Sequence, residues 1–379
     1  MTESASTVFE RGSNRSQDTD REVGRPGSWL PTWGMISTKI LELRKRRGLM
    51  ITTLVFTVGL PVVALGVREL FHLFDPNSYG PASSPTVFET LCSVMASFGF
   101  IIAAAVGATA GTTDLTDGVF RHLVITGRSR LALYLARIPA GLAILLSLTG
   151  AGFAIVCLAT AFLGIAQPTT VDEGGVAVPL RLDQTQLEDW LMQNPQQGAT
   201  AFGFVNADGS GQSLSGKAFE SALDQDMPGI YQQYSFDEAG TINPSPGQMT
   251  DAGLWLELDA TIAYTVGLGF GSLIGQRTMA TISMIVLDII ITPLFARTDI
   301  PHFVNVQRLL VGAVMDQIRP TVLGNGIGGG GPVASIVGSR DAIGQGLTPT
   351  PGWAMAAVIA GWIIGWSVIG ARRMMTRDA

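Results

Sequence analysis

Charged side chains are scarce in this chain, because Asp, Glu, Lys and Arg together make up 14% of its 379 residues. Soluble proteins usually carry about 25% charged residues, so the shortage indicates that lipid, rather than water, surrounds much of the chain. Hydrophobic residues account for 47% of the sequence, in keeping with that interpretation. The formal net charge of −6 argues against a nucleic-acid partner.

Cysteine and histidine are also rare. The two cysteines, Cys92 and Cys157, both lie inside apolar runs, and two are too few for a disulfide framework or a cysteine-based metal site. The three histidines, His72, His122 and His302, show no metal-ligand spacing. A catalytic histidine works within a constellation of partner groups, so we interpret these three as structural residues. We therefore predict no metal, no cofactor and no catalytic residue in this chain.

Long apolar runs are what the sequence does contain. Each reaches about the 20 residues that a helix needs to cross a bilayer, and the third is longer than one span needs. Pro61 predicts a kink in the first run, which starts too far into the chain to be a cleaved signal peptide. The predicted spans number six: Gly48–Val67, Thr90–Thr113, Ile138–Val171, Trp255–Gln276, Thr278–Ala296 and Trp353–Ala371.

Basic residues set the predicted orientation, because loops that carry Lys and Arg stay in the cytoplasm. With six spans, all the basic clusters that flank them fall on one side, and both termini are then cytoplasmic. We expect a multi-pass protein of the inner or plasma membrane. The residues that carry this prediction are Lys39, Arg44, Lys45, Arg46, Arg47, Arg121, Arg128, Arg130, Arg277, Arg372, Arg373 and Arg377.

Three stretches lie outside the predicted spans. Residues 1–28 are polar and rich in Ser, Gly and Asp, which predicts a disordered cytoplasmic tail. Residues 29–47 mix tryptophan and aliphatic residues with a basic cluster, a composition typical of a helix in the membrane interface. The acidic stretch 166–250 predicts an extracytoplasmic insertion between the third and fourth spans, with a helix over Gln184–Met192.

One short segment imitates a phosphate-binding loop. Gly211–Ala218 reads GQSLSGKA, against the pattern GxxxxGK[ST] that binds nucleotide phosphates. Ala218 lacks the hydroxyl that would bind magnesium, and the segment is predicted to lie outside the cytoplasm. We therefore predict that this chain has no ATPase activity of its own.

The segment between the second and third spans, Thr113–Arg130, carries the strongest functional signal. Acidic residues are followed by glycine, a short apolar stretch and arginines, which suits a docking helix whose apolar ridge enters a partner's groove. The alternative is an ordinary basic cytoplasmic loop. The candidate docking residues are Asp114, Asp117, Gly118, Leu123, Val124, Arg128 and Arg130.

Here the chain resembles the membrane subunit of type-2 ABC exporters, the ABC-2 permeases. In that family the segment consists of an acidic residue, Gly-Thr-Leu, an apolar run, Pro-x-Ser-Arg and a following Lys. This chain offers Asp114, Gly118-Val-Phe, the run from Leu123, Gly127-Arg-Ser-Arg130 and Arg137. Asp replaces Glu, Val replaces Thr, Gly replaces Pro and Arg replaces Lys.

The resemblance implies an all-α polytopic membrane protein with the ABC-2 type transmembrane domain over residues 29–379. It also implies which subunits make up the exporter. Two permease subunits, identical or different, form the substrate pathway in the bilayer, and separate ATPase subunits bind ATP and Mg. The ATPases push on the segment between the second and third spans. The substrate does not follow from the resemblance.

Asp288 is a second candidate, because it interrupts the fifth predicted span. A carboxylate at the bilayer centre costs a few kcal/mol, so it normally faces protein or a wet cavity. Asp288 either makes a structural polar contact or lines the substrate pathway.

Small residues also recur at four-residue spacing, which lets helices approach closely. The spacing predicts packing within the bundle, or else a subunit interface. The glycines concerned are Gly107, Gly111, Gly267, Gly271, Gly275, Gly361 and Gly365.

Two other functions remain compatible with the sequence. An ion-coupled secondary transporter usually shows repeats and several intramembrane charges. We find no repeat, and Asp288 is nearly alone at membrane depth in the predicted spans. The second alternative keeps the ABC-2 fold in a sensory or assembly role that uses the acidic insertion 166–250.

Overall fold

The computed structural model describes residues 30–75, 82–116, 129–162, 170–173, 176–204, 216–241, 243–287, 308–323 and 350–376, with single residues 291 and 306. The predicted tail, residues 1–28, lies outside this part of the chain, as does Asp288. Four helical stretches are long and apolar enough to cross a membrane, and the chain is a helical polytopic membrane protein. They are Arg47–Phe74, Pro85–Thr113, Arg130–Ala161 and Gly352–Thr376.

These four stretches match the first, second, third and sixth predicted spans. The fourth predicted span lies within a longer helix, and the fifth begins as a ten-residue helix, so the total of six stays a prediction. The third span was predicted too long. Its helix ends at Phe162, and Val171 lies in a β-strand. The helix from Arg137 to Phe162 already has 26 residues, more than a bilayer requires.

The chain enters the bundle through helix α1, Trp33–Lys45. Its buried side chains, Met35 and Leu43, face the bundle, while Trp33 is 77% exposed. This amphipathic helix lies where the sequence predicts one over residues 29–47. Its position in a membrane interface stays a prediction.

The first spanning stretch consists of α2, Arg47–Leu54, a π-helical turn, Val55–Gly59, and α3, Leu60–Phe74. Proline in a helix clashes with the carbonyl four residues earlier, which for Pro61 is that of Thr57. The wide π turn moves this carbonyl aside. The sequence predicted a kink at Pro61, and the structure places the irregularity in the turn before it.

Two helices form the centre of the bundle: α4, Pro85–Thr116, and α10, Pro246–Ile274. Glycines on both helices bring the two backbones together. A Cβ added to Gly111 would lie 2.6 Å from the carbonyl oxygen of Leu268, and one added to Gly271 would lie 2.6 Å from that of Ala108. Residue numbers rise in the same direction along both helices, so they run parallel.

The other helices surround this pair. Helix α5, Arg130–Leu135, leads into α6, Arg137–Phe162, which packs on α4 and α10. Helix α11, Arg277–Val286, lies against α4, and α13, Gly352–Thr376, lies along α10. We call the end of the bundle where α4 and α13 finish and α5 begins the basic end.

The insertion between α6 and α10 has a hydrophobic core of its own. Strands β1, Thr170–Glu173, and β2, Val176–Pro179, pair antiparallel, with Val171 opposite Val178. The predicted helix over Gln184–Met192 is confirmed as α7, Gln184–Gln193, whose first turn is closed by a capping box between Asp183 and Gln186. The insertion also contains α8, Pro195–Ala201, and α9, Lys217–Thr241.

Tyr234 holds the insertion together from within its core. Its hydroxyl donates a 2.8 Å hydrogen bond to the carbonyl of Pro179 and accepts one of 3.1 Å from the backbone N–H of Leu182. These two bonds join α9 to the loop that follows β2. Of the phosphate-loop imitation, residues 211–215 lie outside the described part of the chain, and Lys217 begins α9.

A short helix, α12, Val311–Gln317, and a 3-10 turn, Thr321–Leu323, complete the far end of the bundle. Trp255 of α10 donates a 3.0 Å hydrogen bond from its indole N–H to the carbonyl of Met315. Arg319 donates to Ser93 Oγ at 3.1 Å and lies over the Trp255 ring, 5.3 Å from its centroid. These contacts attach the α12 segment to both central helices.

Candidate functional site

The structure describes the two flanks of the predicted docking segment. Asp114 lies in the last turns of α4, and Arg130 is the first residue of α5. The other predicted docking residues, Asp117, Gly118, Leu123, Val124 and Arg128, lie outside the described residues.

The second flank is attached to other helices by side-chain contacts. Ser129 caps α5 by accepting a 3.1 Å hydrogen bond from the backbone N–H of Ala132. Arg130 donates a 3.1 Å hydrogen bond from Nη1 to the carbonyl of Met375, near the end of α13. Met35 of α1 packs in a small apolar cluster with Ala132. The chain that leaves the predicted segment is therefore joined to both α1 and α13.

Arg137 connects three helices at the basic end. It begins α6, and its side chain is 2% exposed. Its guanidinium donates a 3.2 Å hydrogen bond from Nη1 to the carbonyl of Gly111 in α4. Its own carbonyl accepts a 2.7 Å hydrogen bond from the hydroxyl of Tyr264 in α10. These two hydrogen bonds join α6 to both α4 and α10 through one residue.

A pocket opens beside this arginine, with an empty volume of about 220 Å³ including its mouth. Lys39 and Glu42 of α1 line the pocket and form a 2.7 Å ion pair with each other. Thr113, one residue before the predicted Asp114, lines the same pocket. At this pocket α1, the end of α4 and the start of α6 meet around Arg137.

Arg137 belongs to the segment that resembles ABC-2 permeases, but the sequence did not predict it as a site residue. Its only signal was an arginine at the start of a long apolar run, where a basic residue normally faces water or lipid headgroups. Its burial results from the approach of α1 and α10, which no local pattern predicts. The structure thus adds Arg137 and Tyr264 to the candidate site.

Removing the hydroxyl of Tyr264 tests this connection. Tyr264→Phe is expected to lower the free energy of unfolding by about 1–3 kcal/mol, since it leaves the buried carbonyl of Arg137 without this donor. Tyr134→Phe is the matched control, because the buried Tyr134 hydroxyl has no hydrogen-bond partner among the described residues. Thermal unfolding of both purified variants measures the difference. Equal melting temperatures for the two variants would contradict the assignment.

A second candidate site lies farther from the basic end. An open cavity with an empty volume of about 430 Å³, including its mouth, lies between α4, α10, α11, α12 and α13, and we call it the Asp259 cavity. It is lined by Phe100, Asp259, Ile262, Val266, Met284, Leu287, Leu310, Val311, Gly312, Met315 and Trp362.

Asp259 was not among the predicted site residues, although it lies inside the fourth predicted span. The fourth predicted span thus carries two carboxylates, Glu257 and Asp259, besides the Asp288 of the fifth, and the depth of each in a membrane stays a prediction. Leu287, which precedes Asp288, lines the Asp259 cavity. Asp288 itself lies outside the described residues, and its relation to the pathway stays a prediction.

The described part of the chain contains no group of three His, Cys, Asp or Glu side chains placed to hold a metal ion. The two sites instead offer a buried guanidinium joined to helix backbones and a carboxylate on an apolar cavity wall. No protein-family model, curated protein or solved structure matches this chain.

Proposed function

We propose that this chain is the permease subunit of an ABC exporter, with the ABC-2 type transmembrane domain, driven by a separate ATPase. The ATPase docks on the segment 117–128 between α4 and α5, and its ATP and Mg bind outside this chain. A second permease subunit, identical or different, completes the pathway. The basic end then faces the cytoplasm, the termini lie on that side of the plasma membrane, and six spans cross the bilayer.

The observation that carries this proposal is the attachment of both flanks of segment 117–128 to the bundle. One flank continues into α4, half of the central pair. The other flank reaches α13 through Arg130 and α4 through Arg137. In this proposal, force that the ATPase applies to the segment reaches the central helices through these attachments.

Charge reversal in segment 117–128 tests the proposal. We expect Arg128→Glu to reduce permease-stimulated ATP hydrolysis at least about tenfold, because loss of a central interface contact typically costs 2 kcal/mol or more. The measurement uses the permease reconstituted in lipid with the ATPase that co-purifies with it. Arg44→Glu is the matched control, since Arg44 is an exposed arginine of α1 at the same end of the bundle.

Two results would contradict the proposal. One is unchanged ATP hydrolysis and unchanged co-purification of the ATPase with the Arg128→Glu variant. The other is reaction of an Arg128→Cys variant, with Cys92 and Cys157 replaced by serine, with a membrane-impermeant thiol reagent added outside intact cells.

Asp259 favours a second candidate function, an ion-coupled secondary transporter. Carboxylates within membrane helices mark ion and proton pathways in such proteins. Asp259 lies in α10 and lines a cavity among five helices. Substrate uptake into vesicles that contain only this chain, driven by a proton gradient and abolished by Asp259→Asn, would favour this function over the exporter.

A further inference from the structure

Exposed arginines lie at the basic end of the bundle, where three of its helices begin or end. We propose that they bind the headgroups of anionic phospholipids, so that this end of the protein selects acidic over zwitterionic lipids from the membrane. The proposal needs a chain that spans a bilayer and does not depend on an ATPase. The four residues, which we call the arginine collar, are Arg47, Arg277, Arg372 and Arg373.

Position is the first argument. Arg47 begins α2, one turn after Leu43 of α1, which lines the pocket at the basic end. Arg277 begins α11, and it follows the end of α10 after only two residues. Arg372 and Arg373 lie in the last turns of α13. Apolar helices thus present these arginines where a span leaves the hydrocarbon layer, which is the depth of the lipid phosphates.

Charge is the second argument. All four side chains of the collar are exposed, and none of them forms an ion pair within the described part of the chain. Glu42, an acidic residue at the same end, is paired with Lys39 at 2.7 Å. A guanidinium binds phosphate through two parallel hydrogen bonds. Each Lys or Arg near an anionic membrane surface strengthens binding about fivefold, so the collar complements a negative headgroup.

Exposed apolar side chains next to the collar distinguish a lipid from a free phosphate. Ile51, one turn after Arg47 in α2, is 60% exposed. Val368, one turn before Arg372 in α13, is 56% exposed. Met279, in the first turn of α11, is 54% exposed. The acyl chains of a lipid cover such residues while its headgroup meets the arginine, whereas a phosphate in water gains nothing from them.

A topology signal is the alternative role for these arginines, because basic residues keep loops in the cytoplasm while a chain is inserted. That role ends once the protein is folded, and it predicts no preference between lipids afterwards. Lipid binding by the folded protein therefore distinguishes the two roles.

Native mass spectrometry of the purified full chain in detergent, without any ATPase, tests the proposal. The probes are phosphatidylglycerol and phosphatidylcholine with identical acyl chains. We expect the wild-type chain to bind phosphatidylglycerol at least about tenfold more tightly than phosphatidylcholine. Arg372→Gln with Arg373→Gln should weaken phosphatidylglycerol binding at least about fivefold and leave phosphatidylcholine binding unchanged. Glutamine at all four collar positions should abolish the preference.

Matched variants separate lipid binding from total charge and from folding. Arg181→Gln with Lys217→Gln removes the same charge from two exposed residues of the insertion, and it should bind phosphatidylglycerol like wild type. Arg372→Lys with Arg373→Lys keeps the charge and should still prefer phosphatidylglycerol. Glycerol 3-phosphate, which carries the phosphate without acyl chains, should not displace the lipid at equal concentration.

Equal affinity of the wild type for the two lipids would overturn the proposal, as would unchanged phosphatidylglycerol binding in the glutamine variants. Displacement of the lipid by glycerol 3-phosphate would overturn it as well, since the arginines would then bind a free phosphate. These outcomes leave the exporter proposal standing, because they involve no ATPase. Conversely, unchanged ATP hydrolysis in the Arg128→Glu variant, with the lipid preference intact, defeats the exporter proposal alone.

Discussion

Leucine in place of Gly267 is expected to abolish the accumulation of folded protein. A Cβ at this position would lie 3.0 Å from the Cα of Ala104 and 3.1 Å from its carbonyl carbon. These are backbone atoms of α4, which cannot turn aside as a side chain does. The two central helices would have to separate along their length. Overpacking commonly costs 1–3 kcal/mol and sometimes more, a large share of a typical stability of 5–15 kcal/mol.

Gly361→Leu is the matched control for this substitution. Gly361 lies in α13, another apolar helix, and a Cβ there would meet nothing within 4 Å. Size-exclusion chromatography of both variants, fused to a fluorescent protein, compares the yield of monodisperse material. Comparable yields for Gly267→Leu and Gly361→Leu would show that the close approach of α4 and α10 is not needed for folding.

Methionine in place of Arg137 is expected to abolish coupled transport while leaving the fold intact. Replacing a buried guanidinium by an apolar side chain of similar length removes the cost of desolvating the charge, which offsets part of the hydrogen bonding that is lost. The substitution nevertheless removes the hydrogen bond from the guanidinium to Gly111, which links α6 to α4. If segment 117–128 is pushed by an ATPase, stimulated ATP hydrolysis should fall at least about tenfold, while the melting temperature changes by only a few degrees.

Arg137→Lys is the control, because lysine retains the charge and three donors on a flexible stem. It should keep part of the coupling. Reconstitution with the ATPase and a thermal unfolding curve for each variant give the two readouts. Unchanged stimulated ATP hydrolysis in Arg137→Met would show that Arg137 does not take part in coupling. Loss of folding in both variants would show that its role is structural.

The lengths of the apolar runs and their residue types predicted the features of the fold that belong to a single helix. Apolar runs located four spanning stretches, because a bilayer of fixed thickness demands about 20 apolar residues. The four-residue spacing of Gly107 and Gly111, and of Gly267 and Gly271, predicted close packing, and all four lie where α4 and α10 touch.

The sequence could not predict which elements become neighbours. Gly361 and Gly365 show the same four-residue spacing, yet a Cβ at either would meet nothing within 4 Å of the described chain. The same limit applied to the sites. Arg137 is buried because α1 and α10 approach it, and Asp259 lines a cavity because α11, α12 and α13 surround it. Neither environment can be predicted from the residues that neighbour Arg137 or Asp259 in the sequence.

The parallel arrangement of α4 and α10 has a consequence for how the protein is made. Helices that run in the same direction cannot be joined by a tight turn, so all of α6 and the insertion separate them in the chain. At typical synthesis rates α4 waits on the order of ten seconds for its partner to leave the ribosome. During that interval Gly107 and Gly111 lack the backbone of α10 as a partner, so we expect other apolar groups to cover them until α10 packs there.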